Sequence, residues 1–152
     1  FDGRLNEEKI KPIRDLWKGK IVLKGVASEA DMEKAIALGI DGIIVSNHGG
    51  RQLDAGQSTI HALRDLKEKF SDKITLMMDS GIRSGPDIAR SMAQGAEFTF
   101  MGRSFMYGVG ALGNKGGDHT MGLIKTELKQ IMEQIGCENT SDFHKFLVKT
   151  KH

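Results

Sequence analysis

Apolar residues along the chain fall into short runs separated by amphipathic stretches. Ile21–Lys24 (IVLK), Gly42–Ser46 (GIIVS), Ile74–Met78 (ITLMM) and Phe98–Met101 (FTFM) are nearly continuous, β-branched or aromatic, and too short for helices. They read as buried strands of the kind that parallel sheets cover on both faces. Helical patterns lie between them. Ser28 followed by Asp31 marks a helix start, Met32, Ala35 and Ile36 continue at helical spacing, and Gly39 supplies a stop. Ile60, Leu63, Leu66 and Phe70 form a second stripe; Ser84, Pro86 and Asp87 open a third helix that ends near Gly95. Ala35–Ser46 and Ser91–Gly102 echo one another: a helix end, a glycine, an acid two residues on, then a strand. Repeated strand–helix units of this kind point to a parallel α/β sheet or barrel. The last third changes character. Leu112–Asp118 reads as a loop, Ile124, Leu128, Ile131 and Ile135 as the stripe of a long helix ending at Gly136, and Thr140–Val148 as a final helix.

Composition narrows the class without naming it. The 152 residues are 39% hydrophobic and 28% charged, with a net charge of +2. That is ordinary for one globular domain but short for a complete (β/α) barrel of roughly 250 residues. Acidic and basic residues are interspersed, so no nucleic-acid partner is expected. The single Cys137 has no disulfide mate, which fits an intracellular compartment, and no stretch has the length and apolarity of a membrane span or secretory leader. The chain starts at Phe1 rather than Met, so a fragment is expected.

Chemistry concentrates where strands end. Ser46 leads into Asn47, His48, Gly49, Gly50 and Arg51, at the carboxyl end of a strand where barrel active sites are built. An imidazole suits proton transfer near neutral pH, and a guanidinium can clamp a carboxylate through two parallel hydrogen bonds. On residue types alone, a loop histidine and a surface arginine remain the commoner explanation. Lys24, at the end of the first strand, could hold a positive charge against a cofactor or could simply reach for water. Asp79-Ser80-Gly81-Ile82-Arg83-Ser84-Gly85 and Gly102-Arg103 follow the next two strands; together their N–H groups and arginines could hold a phosphate. His61, His119, His144 and His152 show no metal-ligand spacing, and no metal site is expected.

Taken together, VLKGV (Val22–Val26), SNHGGRQLD (Ser46–Asp54), DSGIRSG (Asp79–Gly85) and GRSF (Gly102–Phe105) resemble the FMN-dependent 2-hydroxy-acid dehydrogenase and oxidase family, which includes L-lactate dehydrogenase, lactate oxidase and glycolate oxidase. The resemblance runs over about the whole chain and implies the C-terminal half of a (β/α)8 TIM barrel, strands five to eight, with extra C-terminal helices: residues 1–152 would be one partial domain. It implies FMN as cofactor and oxidation of an L-2-hydroxy acid, L-lactate first among them, to the 2-oxo acid. It makes His48 the base and a substrate contact, and Arg51 the carboxylate clamp. Lys24, Ser46, Asp79, Ser80, Gly81, Ile82, Arg83, Gly102 and Arg103 become flavin, ribityl and phosphate contacts. The electron acceptor and the choice between hydride and carbanion routes stay open. Other parts of the family's site lie outside this chain, and Tyr107, the only tyrosine, follows the last strand and cannot replace its active-site tyrosines. The missing N-terminal half is therefore an expected partner, as a cleaved chain, a further segment or a second copy, with a homo-oligomer when complete. The implied location is cytoplasmic, free or peripheral at the inner face of a membrane. The competing class is a non-catalytic half-barrel or interaction module, and a third is another FMN or phosphate-binding barrel with different chemistry.

Overall fold

Four parallel strands, hydrogen-bonded in chain order, form the single sheet of the computed structural model, which describes residues 5–148. Helix α1 (Glu7–Leu16) precedes β1 (Val22–Val26); α2 (Glu29–Ala37), β2 (Gly42–Val45), α3 (Thr59–Phe70), β3 (Thr75–Met78), α4 (Gly85–Ala93) and β4 (Phe98–Thr99) alternate after it. Parallel neighbours require a crossover, and α2, α3 and α4 supply the three. Two further helices, α5 (Arg103–Leu112) and α6 (Gly116–Ile135), and a 3-10 segment (Thr140–Phe146) complete the chain.

The echo between residues 35–46 and 91–102 is a repeated backbone motif. At the end of α2, Gly39 N–H donates to Ile36 O and Ile40 N–H to Ala35 O; 56 positions on, at the end of α4, Gly95 donates to Met92 O and Ala96 to Ser91 O. Both glycines adopt positive φ (72° and 111°), so the chain can reverse and close the helix. The acids that follow enter their strands alike: Asp41 N–H bonds Ile21 O at 2.9 Å and Glu97 N–H bonds Leu76 O at 2.8 Å.

Pleating divides the sheet into two faces. Ile43, Val45, Leu76 and Met78 are buried with Met32 and Ala35 of α2 and Leu63, Leu66 and Phe70 of α3. In register across the other face stand Lys24, Ile44, Met77 and Phe98. This face departs from the expectation that the strands are covered on both sides. Val22 is 46% exposed and Phe98 59% exposed, and among the described residues β1 and β4 are edges without an outer neighbour. β4 is only two residues long, not the four of Phe98–Met101, and pairs with the last two residues of β3.

Other differences are local. The strand read as Ile21–Lys24 runs on to Val26, past a bulge. The expected loop at 112–118 shortens to a 3-10 turn (Gly113–Lys115) before α6 begins, and the final helix is 3-10 rather than α. Of the α6 stripe, Ile124 is buried, Leu128 and Ile131 pack with Met132 against Ala89, Ala93, Cys137 and Phe143, and Ile135 is exposed. Helix α1 has no counterpart among the sequence-predicted elements; Pro12 lies inside it and Ile10 is its buried residue. No helix among the described residues is long and apolar enough to cross a membrane.

Candidate active site

The carboxyl ends of the four strands converge on one open cleft of about 420 Å3. In β1 the pairing jumps from Lys24↔Ile44 to Val26↔Val45, so Gly25 is an extra residue, at φ 102°. Such a bulge re-aims neighbouring side chains. Lys24 Nζ reaches Ser46 Oγ at 3.0 Å and Asp79 Oδ2 at 2.7 Å. Burial alone would push the Asp79 carboxyl up; hydrogen bonds from Lys24, Ser46 and Ser80, with the lysine's charge, outweigh it and hold the group below its ordinary value. The Asp79 side of the pair is therefore a carboxylate at neutral pH.

After β2 the chain turns through three consecutive left-handed residues, His48 (φ 55°), Gly49 (φ 70°) and Gly50 (φ 73°). Glycines adopt this conformation freely, whereas a histidine does so at a cost of roughly 1 kcal/mol. Hydrogen bonds hold it there. His48 N–H donates to the buried Ser46 Oγ at 3.1 Å, and Gly49 N–H donates to Asn47 Oδ1 and Ser80 Oγ, each at 3.0 Å. Arg103, the first residue of α5, donates from NH2 to Gly49 O at 3.1 Å. The imidazole lies against the β1 bulge, since a Cβ placed on Gly25 would sit 3.3 Å from His48 Cε1.

The two strand-to-helix loops of β3 and β4 differ at their helix starts. Carboxylates occupy the first: Asp87 Oδ2 accepts from Arg83 N–H (3.1 Å) and Ser84 Oγ (2.9 Å), and Glu127 of α6 accepts from Gly85 N–H at 2.8 Å. The second, at Gly102, has no side-chain cap. Its leading N–H groups and the dipole of α5 present partial positive charge there. Arg83 stands close by: its carbonyl accepts from Ser104 Oγ at 3.0 Å, and its guanidinium lies over the Tyr107 ring, 5.8 Å from the centroid.

Every site residue proposed from the sequence except Ser46 lines this cleft, and Ser46 is buried beneath Lys24. Ile82 lines it while its side chain belongs to the core, so its backbone is the part available to a ligand. Arg51 and His48 are both exposed at its mouth. Among the described residues, no cluster of three or more His, Cys, Asp or Glu could hold a metal ion.

Comparison with known proteins decides the family. The sequence profile of the FMN-dependent dehydrogenases matches residues 1–150. The chain belongs to the FMN-dependent dehydrogenase family. An L-lactate dehydrogenase of Bartonella quintana (strain Toulouse) is 41% identical over 151 residues, which is 99% of this chain and 39% of the relative. Among solved structures, a soluble mutant of the membrane-associated (S)-mandelate dehydrogenase from Pseudomonas putida superposes with a TM-score of 0.88 at 38% identity, covering 94% of this chain and 40% of that one. A mandelate oxidase with benzoyl-formic acid gives a TM-score of 0.88 at 33% identity over 93% and 42% of the respective chains. The chain thus spans about 40% of the length of these relatives, and its four parallel strands match part of a TIM-barrel flavin dehydrogenase.

The residues present fit the family's FMN. One cleft brings together an uncapped helix N-terminus, Arg83 and Arg103 for an anion, the Lys24 ammonium, and open backbone at Gly81 and Gly102, where an added Cβ would meet nothing within 4 Å. Other residues that shape this cleft are given no role of their own from the sequence. Gly25 beside the imidazole, Asn47 bracing Gly49, and Thr59, whose hydroxyl donates to Ser80 O at 3.1 Å, all shape the loops. A glycine inside the strand pattern VLKGV is the usual mark of a bulge, so Gly25 was within reach; Thr59 carried no such mark.

Proposed function

We propose that this chain is the C-terminal half of an FMN-dependent enzyme that oxidises an L-2-hydroxy acid to the 2-oxo acid, with L-lactate the first substrate to test. The observation that carries the reading is the placement of His48 and Arg51 in the same cleft as Lys24, Arg83 and the uncapped start of α5.

Each role follows from chemistry available at that place. Arg51 clamps the substrate carboxylate through its planar fork. That fixes the α-carbon, and the His48 imidazole takes one proton of the acid, from the 2-hydroxyl in a hydride route or from the α-carbon in a carbanion route. FMN bound in the cleft would supply the two-electron acceptor and take up the second hydrogen of the acid. Lys24 supplies a fixed positive charge to the flavin, and Asp79 keeps that lysine oriented. Ser46, Ser80 and Asp79 contact the cofactor or the groups that do, while Gly81, Ile82, Arg83, Gly102 and Arg103 enclose the ribityl chain and its phosphate.

Residues 1–152 form one partial domain in this reading, and the open edges at β1 and β4 pair with the remaining strands of a barrel. The completed enzyme works as a homo-oligomer in the cytoplasm or peripherally on the membrane's inner face. L-lactate comes from the likeness to L-lactate dehydrogenases. The mandelate enzymes among the structural relatives make (S)-mandelate the second substrate to test.

The experiment purifies the protein from its native source, retaining whatever polypeptide completes the cleft, and measures mass, flavin absorbance and dye reduction with L-lactate, (S)-mandelate and glycolate. A flavin spectrum bleached by one of these acids supports the reading. A 16.7 kDa species without flavin or substrate-dependent dye reduction overturns it in favour of a non-catalytic half-barrel.

A further inference from the structure

Among the described residues, His48 and Ser80 are the non-glycine residues at positive φ, 55° and 71°. They lie on different loops, 32 positions apart, and are joined through the backbone of Gly49. A glycine at position 80 would adopt this backbone without strain. What a serine adds is its hydroxyl, and both functions of that hydroxyl are in use. It donates to Asp79 Oδ1 at 2.8 Å and accepts from Gly49 N–H at 3.0 Å. Its own carbonyl is held from behind by Thr59.

We propose that Ser80 is a positioning residue for His48, a latch that ties the backbone of the His48 loop to the Lys24–Asp79 ion pair. The proposal rests on the reading of His48 as the base. The wiring is paired. His48 N–H bonds Ser46 Oγ, which contacts Lys24 at one end of the ion pair; Gly49 N–H bonds Ser80 Oγ, which contacts Asp79 at the other. Two successive amides are thereby set against one charged pair, across loops from β2 and β3. Arg103 holds the next peptide, donating to the carbonyl of Gly49. A small displacement of a catalytic group carries a large cost in rate, so a fixed loop backbone is what an exposed imidazole at this place requires.

Three variants separate positioning from plain structural support, because stability and the hydroxyl rank them differently. Ser80→Gly removes the strain and the hydroxyl. Ser80→Ala keeps the strain and removes the hydroxyl. Ser80→Thr keeps the hydroxyl but puts a β-branched side chain at positive φ, which is the least stable choice. The expected result is that Ser80→Gly melts at or above the parent temperature yet loses about tenfold in kcat, with KM for the 2-hydroxy acid changed less than about twofold. Ser80→Ala loses a similar factor, and Ser80→Thr melts lower but recovers most of the rate. A ranking of kcat that follows melting temperature, with Gly the most active, overturns the proposal.

A readout without turnover makes its failure distinct from failure of the functional reading. In the same protein without substrate, Ser80→Gly should lose hydrogen-exchange protection at Gly49 N–H and shift the His48 Cε1–H resonance, and Ser80→Thr should restore both. An unmoved His48 resonance in Ser80→Gly refutes the latch even if the enzyme is active. Should the parent protein oxidise no 2-hydroxy acid, the functional reading falls, and the resonance and exchange comparison still decides whether Ser80 holds the His48 loop.

Discussion

Lys24 Nζ and Asp79 Oδ2 meet at 2.7 Å although their strands, β1 and β3, are not neighbours. β2 lies between them and contributes Ser46, which contacts the lysine from below. The lysine side chain is 43% exposed and the aspartate 17%, so the pair is anchored at its acidic end. Replacing Lys24 by Met removes the first of the groups that hold the Asp79 carboxyl down, and its pKa should rise. The folded-state pKa is depressed, so the pair's stabilisation is present above the unfolded carboxyl value and is lost as pH falls through the folded one. Carboxyl-carbon NMR titration reads this directly; an unchanged Asp79 midpoint in Lys24→Met would show that the lysine is not its partner in solution.

His48 and Arg51 should separate kinetically. His48→Gln in the flavin-loaded enzyme should slow flavin reduction by about 10²–10⁴-fold while FMN stays bound. Arg51→Lys retains charge but not the fork, and should lower kcat/KM roughly 10- to 100-fold, the worth of a charged hydrogen bond. Stopped-flow reduction of the flavin checks both, and parent rates in either variant would remove that residue from the mechanism.

Gly25 is predicted to be intolerant of a side chain. At φ 102°, with His48 Cε1 3.3 Å from the new methyl, Gly25→Ala should destabilise by about 1–3 kcal/mol and displace the imidazole. Urea unfolding together with the His48 ring resonance tests it. A variant as stable as the parent, with the ring unmoved, contradicts the packing described.

Asp41 ties α1 to the sheet. It accepts from Lys20 Nζ (2.8 Å), Ile21 N–H (2.9 Å) and Arg14 NH1 (3.1 Å), and Arg14 also donates to the carbonyls of Trp17 and Gly19. The Lys20 hydrogen bond first, then the Ile21 amide, bring its pKa from 3.8 to about 2 against the opposing effect of burial. A depressed carboxyl contributes fully above its unfolded pKa and loses that contribution between 3.8 and about 2. Asp41→Asn should therefore melt below the parent at pH 7, with the gap closing as pH falls to about 2. A gap that stays constant over that window would exclude the ionic contribution.

Helices α5 and α6 approach through Gly108 and Gly116. A Cβ on Gly108 would lie 2.0 Å from Thr120 Oγ1 and 2.7 Å from Gly116 O, so Gly108→Ala must push the helices apart. Overpacking of this kind costs about 1–3 kcal/mol. The double variant Gly108→Ala/Thr120→Ala should recover part of the loss in thermal unfolding, since it removes the nearer obstacle but not the carbonyl.

Much of the fold is legible in the sequence because its determinants are local. Ser28 accepts from Asp31 N–H at the start of α2, and Gly136 closes α6 in the left-handed conformation. Burial of Leu63, Leu66 and Phe70 follows the stripe they form along α3. Two elements differ: α1 has a start mark, Asn6 accepting from Lys9 N–H with Glu7 and Glu8 in its first turn, but Pro12 inside it argues against a helix, and the 3-10 ending of the chain has no side-chain cap. β4 is shorter because it pairs with β3 at two positions, Met77↔Phe98 and Met78↔Thr99, and that extent is set by the end of β3 rather than by β4's own residues.

SNHGGRQLD and its companion motifs by themselves carry the family resemblance, and the sequence determines which residue types reach the strand ends, because alternation, turn glycines and side-chain chemistry are properties of neighbouring residues. The contacts between those motifs belong to the tertiary structure. That Lys24 pairs with Asp79 across β2, that the Ser80 hydroxyl secures Gly49, that Gly25 borders His48, and that the start of α5 is left uncapped while carboxylates fill that of α4 all depend on sheet register and loop path. Side chains tens of residues apart meet only once the sheet has formed, and no local pattern encodes a distance of that kind.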